Sequence, residues 1–366
     1  MKVLLVAGAR PNFMKIAPIY REARKRPDVT CKLVHTGQHY DAEMSDNFFK
    51  DLDIPLPDYK LNAGAGSHAV QTARIMVRFE KVCLAEKPQL LITVGDVNST
   101  LACSVVAKKL GIQVAHVEAG LRSGDMTMPE EINRIVTDSI SDYFFVTEES
   151  GVQNLLREGK SRDNIHFVGH VMIDNLLYQV RQLEAKPSAF RQFSTYASKQ
   201  GERKYAFLTL HRPSNVDRKR VFQEIVEAIN VIAAERKVFF PMHPRTKKTA
   251  ETFGIEFSKN IVLLPPLSFK ESLYLWKDAE VVLTDSGGLQ EETTALGVPC
   301  VTIRENTERP ITVEVGTNVL AGNSMQGIID AYGESIKKAK RASLPPYWDG
   351  QASRRIWEVL AKAFEN

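Results

Sequence analysis

"LLITVGDVNSTLACSVVAKKLGIQVAHVEAG", residues 90–120, decides how the chain folds. Residues 90–96 are an apolar run ended by Gly95-Asp96, the form of a short buried strand. Ser99 to Leu110 reads as a helix closed by Gly111, and residues 113–120 return to strand. "VVLTDSGGLQEETTALGVPCVTIREN", residues 281–306, follows the same plan of strand, turn, helix, glycine and strand. Both stretches place an aspartate at the end of the first strand, Asp96 and Asp285. The likeness is architectural, with no solenoid-type repeat.

The same alternation extends outward in both directions. Residues 2–8 read as a first buried strand, and Pro11 opens a helix running to about Arg26. Further strands are expected at 31–37, 142–148 and 166–170, with a helix between the last two. Residues 172–203 break the pattern, as a helix passes into polar, irregular sequence. Alternation resumes with strands at 205–211, 237–243, 261–266, 280–285 and 299–304 and a helix from Arg218 to about Glu235. An amphipathic helix spans about 351–364. Strands alternating with helices imply mostly parallel sheets. The expected fold is therefore α/β, with two doubly wound, Rossmann-like domains facing a central cleft. Ligands of such sheets bind beyond the carboxyl ends of the strands, so the chemistry is expected in that cleft.

Composition narrows the function classes. The 366 residues are 43% hydrophobic and 25% charged, fitting two packed globular domains. A net charge of +4 is too small for a nucleic-acid coat, although it suits anionic ligands. Cys31, Cys83, Cys103 and Cys300 form no CxxC pair and read as small core residues in a reducing compartment. No apolar run reaches the roughly 18–20 residues that span a bilayer. The first run is cut off by Arg10-Pro11, too early for a signal peptide. A cytoplasmic location without membrane insertion is expected.

Polar residues gather where strands end. Arg10 and Lys15 follow the first strand; Asp96, Asn98 and Ser99 follow another; Glu118 and Arg122 end "HVEAGLRS". His211 and Arg212, then His243 and Arg245, then Asp285 and Ser286 do the same in the second half. Other readings stand for some of these residues. Asp96 and Asp285 are placed to cap the helices that follow, and His211 suits a structural histidine. Arg10, Lys15, His211 and Ser286-Gly287-Gly288 suit a phosphate, because glycine lets backbone N–H groups approach an anion at a helix start. No Walker sequence and no GxGxxG follows, which disfavours a nucleotide triphosphatase or a dinucleotide oxidoreductase. "HTGQH" contains a turn, so His35 and His39 do not make a helical zinc pair. "HVE" matches half of a zinc deaminase signature, but no PCxxC accompanies it. In "MPEEINR", Pro129 opens a helix, Glu131 suits its dipole, and Glu130 and Arg134 are four apart on one face. A carboxylate beside an arginine, with Asp96 and Glu118, supplies acid–base groups.

The segments "GARPNFMKIAP", "TGQHYD", "VGDVNSTLA", "AHVEAGLRS", "MPEEINR", "HRPSNVD", "HPRT", "TDSGGLQEETTALGVPCVTIRENTERP" and "VEVGTN" span about residues 8 to 318. In order and spacing they resemble the non-hydrolysing UDP-N-acetylglucosamine 2-epimerases. The resemblance implies the two-domain GT-B type of fold. Residues 1–171 would carry the acid–base residues, residues 172–350 would bind UDP, and a C-terminal helix (351–366) would pack back on the N-terminal domain. It implies interconversion of UDP-GlcNAc and UDP-ManNAc by elimination of UDP to 2-acetamidoglucal and re-addition. By motif, Asp96, Glu118 and Glu130 are the acid–base set, with Lys15 and His211 beside them. Arg10, His211, Ser286, Gly287 and Gly288 would hold the diphosphate, and Lys15 and Arg134 would shape the charge around the sugar. Glu292 would take the ribose hydroxyls, with His243 and Arg309 as further substrate contacts. Neither a metal nor another cofactor is implied; the expected partners are a UDP-sugar and a second copy in a homodimer.

The chain departs from that pattern in places. Many family members read "GTRPE" where this chain has "GARPN", which replaces a glutamate by Asn12 and leaves the sugar's C3 and C6 substituents open. Two alternatives follow: an epimerase of a UDP-2,3-diacetamido uronic acid, and a hydrolysing 2-epimerase releasing ManNAc and UDP. Some bacterial members bind a second UDP-GlcNAc as an activator. His243 and the Gln38-His39 segment lie in the corresponding regions, although "TGQHYDAEMSDNFF" differs.

Overall fold

Alternate residues of β1 (Lys2–Ala7) enter two different cores, and this organises the first half of the molecule. Val3, Leu5 and Ala7 pack with Phe13, Ile16, Ile92 and Trp357 on one face. Leu4 and Val6 pack with Ile75, Phe79, Leu91 and Cys103 on the other. A strand covered on both sides has no polar face, which is why it reads as an unbroken apolar run. β1 lies inside a seven-stranded parallel sheet ordered β3 (Tyr59–Lys60), β2 (Thr30–His35), β1, β4 (Leu90–Val94), β5 (Gln113–Val117), β6 (Tyr143–Val146), β7 (Ile165–Phe167).

The computed structural model describes residues 1–38, 46–202 and 204–365. The chain forms two units, Met1–Leu177 with Pro346–Asn366, and Tyr178–Pro345. The helix Val171–Ala185 runs from one into the other. The second unit has a six-stranded parallel sheet. Its order is β10 (Ile261–Leu264), β9 (Lys237–Pro241), β8 (Tyr205–Thr209), β11 (Val281–Thr284), β12 (Cys300–Thr302), β13 (Asn318–Leu320). Its core includes Leu208, Phe222, Ile225, Phe240, Leu283 and Ile328. The two doubly wound parallel sheets expected from the sequence are both present.

The C-terminal helix Ala352–Phe364 belongs to the first unit, as the resemblance implies. Ile356, Trp357 and Leu360 are fully buried there, and the Trp357 indole N–H donates to the Ile19 carbonyl at 2.9 Å. Asp174 accepts from the backbone N–H groups of Ala352 and Ser353, satisfying donors at the helix start.

The strands are shorter than the sequence suggests. β4 stops at Val94 because Gly95 turns out of the sheet at φ +72. The helix His68–Glu86 escapes the periodicity: Ile75, Phe79 and Val82 face the core, but Val70, Val77 and Leu84 are exposed and blur the pattern. β13 is too short to read by itself.

Candidate active site

In the first sheet the strand order reverses between β1 and β4, the crevice where ligands of open α/β sheets bind. β1 leads into the helix Arg10–Ala23, β4 into Gly95-Asp96, and β5 into Glu118. Lys15 reaches across from its helix and places Nζ 2.6 Å from Glu118 Oε2. Glu118 is 5% exposed, and its backbone sits in the left-handed region at φ +69, costly for a side chain with a β-carbon. The Glu118 and Ala119 N–H groups both donate to the Phe145 carbonyl, which holds the turn.

Asn12 is buried at the start of the same helix. Its Oδ1 accepts from Ala9 N at 3.1 Å, and its Nδ2 donates to the Val94 carbonyl at 3.3 Å. A carboxylate could make the first bond but has no proton for the second. The asparagine thus ties the end of β4 to the helix start.

Arg134 is a further cation at the strand ends of this unit. Its guanidinium donates to Asp96 Oδ2 and, through Nε and Nη2, to Glu131 Oε2. Glu131 is 1% exposed and also accepts from the Ser123 and Gly124 N–H groups. Burial opposes its ionisation, but these donors outweigh burial and hold it below the ordinary carboxylate range. Here the sequence reading needs correction. The arginine pairs with Glu131 three residues away, not with Glu130 four away, because Glu131 lies on the inward face while Glu130 is exposed. Asp96 does not cap the helix after it, whose N-cap is Val97. Arg10 lies over the Phe48 ring at 5.3 Å.

Gln38 is buried and accepts from the backbone and hydroxyl of Ser99 through Oε1. His39, named with it as part of a possible activator region, falls outside the described residues.

In the second unit the order reverses between β8 and β11. Asp285 is fully buried at the end of β11. It accepts from the N–H groups of His211 and Arg212 and from the Asn215 amide, and lies 2.9 Å from His211 Nδ1. Burial works against its charge, but the His211 side chain and these backbone donors hold Asp285 below the usual range. Asp285 is thus the anchor of the His211 loop and not a helix cap, while the His211 ring is half exposed.

The helix Gly287–Leu296 begins at Ser286, whose side chain makes no capping bond. A β-carbon added to Gly287 or Gly288 would meet nothing within 4 Å, so the helix start is open to a ligand. Within that helix three consecutive polar residues stand in different surroundings. Gln290 bonds Thr307, Asn318 and the Ser286 carbonyl. Glu291 pairs with Arg309 at 2.7 Å. Glu292 is buried, and burial first and the Glu291 charge second push its carboxyl up to about 8. His243 caps the helix Pro244–Phe253 by accepting from Arg245 N.

Sequence reasoning missed His116 and Asp138 as a pair. Both are fully buried; His116 Nδ1 lies 2.6 Å from Asp138 Oδ1, and Nε2 lies 2.8 Å from the Gly95 carbonyl. The signal was available in "AHVEAG", where a histidine stands inside an otherwise apolar strand.

The profile of the family described as UDP-N-acetylglucosamine 2-epimerase matches residues 21–361. The chain is 42% identical over 366 residues to the UDP-N-acetylglucosamine 2-epimerase of Methanocaldococcus jannaschii, covering 98% of this chain and 99% of that one. It is 40% identical over 365 residues to the UDP-2,3-diacetamido-2,3-dideoxy-D-glucuronate 2-epimerase of Pseudomonas aeruginosa, covering 99% and 100%. It superposes with a TM-score of 0.82 on a crystal structure of the Methanocaldococcus jannaschii UDP-GlcNAc 2-epimerase in complex with UDP-GlcNAc and UDP. That pair shares 41% identity over 99% of this chain and 100% of the other.

Proposed function

The chain belongs to the UDP-N-acetylglucosamine 2-epimerase family, and from that premise we propose that it inverts C2 of a UDP-sugar, interconverting UDP-GlcNAc and UDP-ManNAc. The observation that carries the reading is the first unit's pair of carboxylates with separate cations. Glu118 stands against Lys15 and Asp96 against Arg134, at the ends of neighbouring strands β5 and β4. Inversion requires a proton to leave one face of C2 and return to the other, which two separately supported carboxyl groups can serve. Glu130, exposed at the start of the helix Pro129–Ile140, stays in the acid–base set by motif.

In the proposed reaction the C2–H proton passes to a carboxylate while the C1–O bond breaks. Its electron pair leaves with the β-phosphate of UDP, and a C1–C2 double bond forms. Charge builds on the departing diphosphate, which Arg10, His211 and the N–H groups at Ser286–Gly288 are suited to stabilise. Glu292 takes the ribose hydroxyls, and Arg309, His243 and Gly288 complete the nucleotide contacts. Held UDP then re-adds to C1 as the proton returns to C2, so re-addition behaves as an intramolecular step.

The test is incubation with UDP-GlcNAc in deuterated water. A mixture of the two epimers carrying deuterium at C2 supports the reading; no exchange and no epimer removes it for this substrate, and accumulation of free UDP and ManNAc indicates a hydrolysing enzyme. A second reading, an epimerase of a UDP-2,3-diacetamido uronic acid, is favoured by the 40% identical Pseudomonas aeruginosa relative. Comparing kcat/KM for the two substrates separates them. We further infer a cytoplasmic homodimer. Four free cysteines fit a reducing compartment, and none of the described helices is long and apolar enough to cross a membrane. Light scattering of the purified protein tests the dimer.

A further inference from the structure

His116 lies on β5 two residues before Glu118 and has no exposure. Each ring nitrogen faces an acceptor. Nε2 meets the Gly95 carbonyl, which cannot donate, and Nδ1 meets Asp138 Oδ1. The other Asp138 oxygen accepts from Gly120 N at 3.0 Å and lies 2.8 Å from Arg122 Nη1. An arginine on that oxygen keeps Asp138 a carboxylate, so both imidazole nitrogens must donate and the ring carries a proton on each. The remaining charges around it are Glu118, which faces Lys15, and Glu158, which pairs with Arg122. His116 is correspondingly raised, with burial opposed by the Asp138 charge and its hydrogen bond.

The bonds of this pair reach both acid–base turns. Gly95 immediately precedes Asp96, and Gly120 closes the left-handed turn that displays Glu118. Gly120 has no room for a side chain, since an added β-carbon would meet the Gly151 carbonyl oxygen at 2.3 Å. We propose that His116 and Asp138 form a positioning pair. A buried, doubly protonated imidazole ties the Gly95-Asp96 turn to the Glu118–Gly120 turn and so fixes the two carboxylates relative to each other. The proposal rests on the epimerase reading for its catalytic consequence, although not for the geometry.

Two variants separate bonding from charge. His116→Phe removes both donors. Asp138→Asn removes the charge but keeps the bonds, because the new amide donates to Nδ1 of a neutral ring that still donates from Nε2 to Gly95. The expected result is a loss of about 100-fold in kcat for H116F with UDP affinity within about 3-fold, and less than about 10-fold for D138N. Hydrogen exchange should quicken at the amides of Gly95-Asp96 and Glu118–Gly120 in H116F. In the wild type, nitrogen-15 signals of the His116 ring should show both nitrogens protonated at about pH 7, where a free imidazole is mostly neutral.

A folded H116F with wild-type kcat, a D138N as impaired as H116F, or a neutral ring at about pH 7 overturns the proposal. If H116F does not fold, D138N and the ring signals decide it. If the wild type exchanges no C2 hydrogen, the epimerase reading falls. The positioning pair is then judged by the ring signals and the amide exchange alone.

Discussion

Lys15 Nζ sits 2.6 Å from Glu118 Oε2, although 103 residues separate them. The contact spans three neighbouring strands, since Lys15 follows β1, Glu118 follows β5, and β4 lies between. It makes Glu118 the carboxylate whose removal is most informative. Glu118→Gln should lower C2 hydrogen exchange by about 100- to 10,000-fold, the range for losing a positioned acid–base group, while UDP affinity stays within about 3-fold. Isothermal titration with UDP beside the deuterium assay checks this. Loss of UDP binding would point to a structural role instead.

Glu131 should prove costlier to alter than Glu130. Glu131→Gln leaves one acceptor oxygen where the Ser123 and Gly124 N–H groups and Arg134 now bond, with an expected cost of about 1–3 kcal/mol. Glu130→Gln on an exposed helix turn should change stability by less than about 0.5 kcal/mol. Urea unfolding of the two variants, with kcat measured alongside, distinguishes scaffold from chemistry. Equal stability losses would contradict the assignment.

Asp285 contributes a pH-dependent part of stability. Its folded value lies below the unfolded one, so its contribution is present above the usual carboxylate range and disappears as the pH falls through the lowered value. Asp285→Asn should therefore melt well below the wild type near pH 7, with the gap closing toward about pH 3. A gap that is the same at both pH values would show that charge is not involved. UDP affinity should also fall in D285N, since Asp285 orders the His211 loop.

Glu292 has the opposite sign. Its ordinary value of 4.5 is pushed up to about 8, so the folded protein holds a proton that the unfolded chain releases. Stability associated with that proton is full below the ordinary value and is lost as the pH rises toward about 8, by on the order of 5 kcal/mol. Glu292→Gln should raise the melting temperature at about pH 8.5, leave it unchanged near about pH 4, and weaken UDP binding if the carboxyl takes the ribose hydroxyls. A variant that destabilises at the higher pH refutes the account.

How much of this was legible in the sequence depended on range. β1, β4 and β11 announce themselves as apolar runs because the sheets are covered on both faces. Asp96, Glu118 and Asp285 were visible because each stands where such a run ends. Partnership was harder to read. Glu130 and Glu131 are adjacent, both lie within helical reach of Arg134, and only the inward face of the helix chooses between them. The role of Asp285 depended on a loop about 73 residues earlier in the chain, a distance no local pattern encodes. His116 was passed over because a buried cation in a strand makes sense only once Gly95 and Asp138 are known to flank it.

The burial of Trp357 against Ile19 sets an order of events during synthesis. Residues 1–177 leave the ribosome first, yet their core lacks Ile356, Trp357 and Leu360 until residues 352–364 have followed. The unit formed by residues 178–345 closes its core from its own residues and needs nothing later in the chain. The segment made first is thus the last to be completed, and a nascent chain can build its proposed nucleotide grip before the acid–base half is finished.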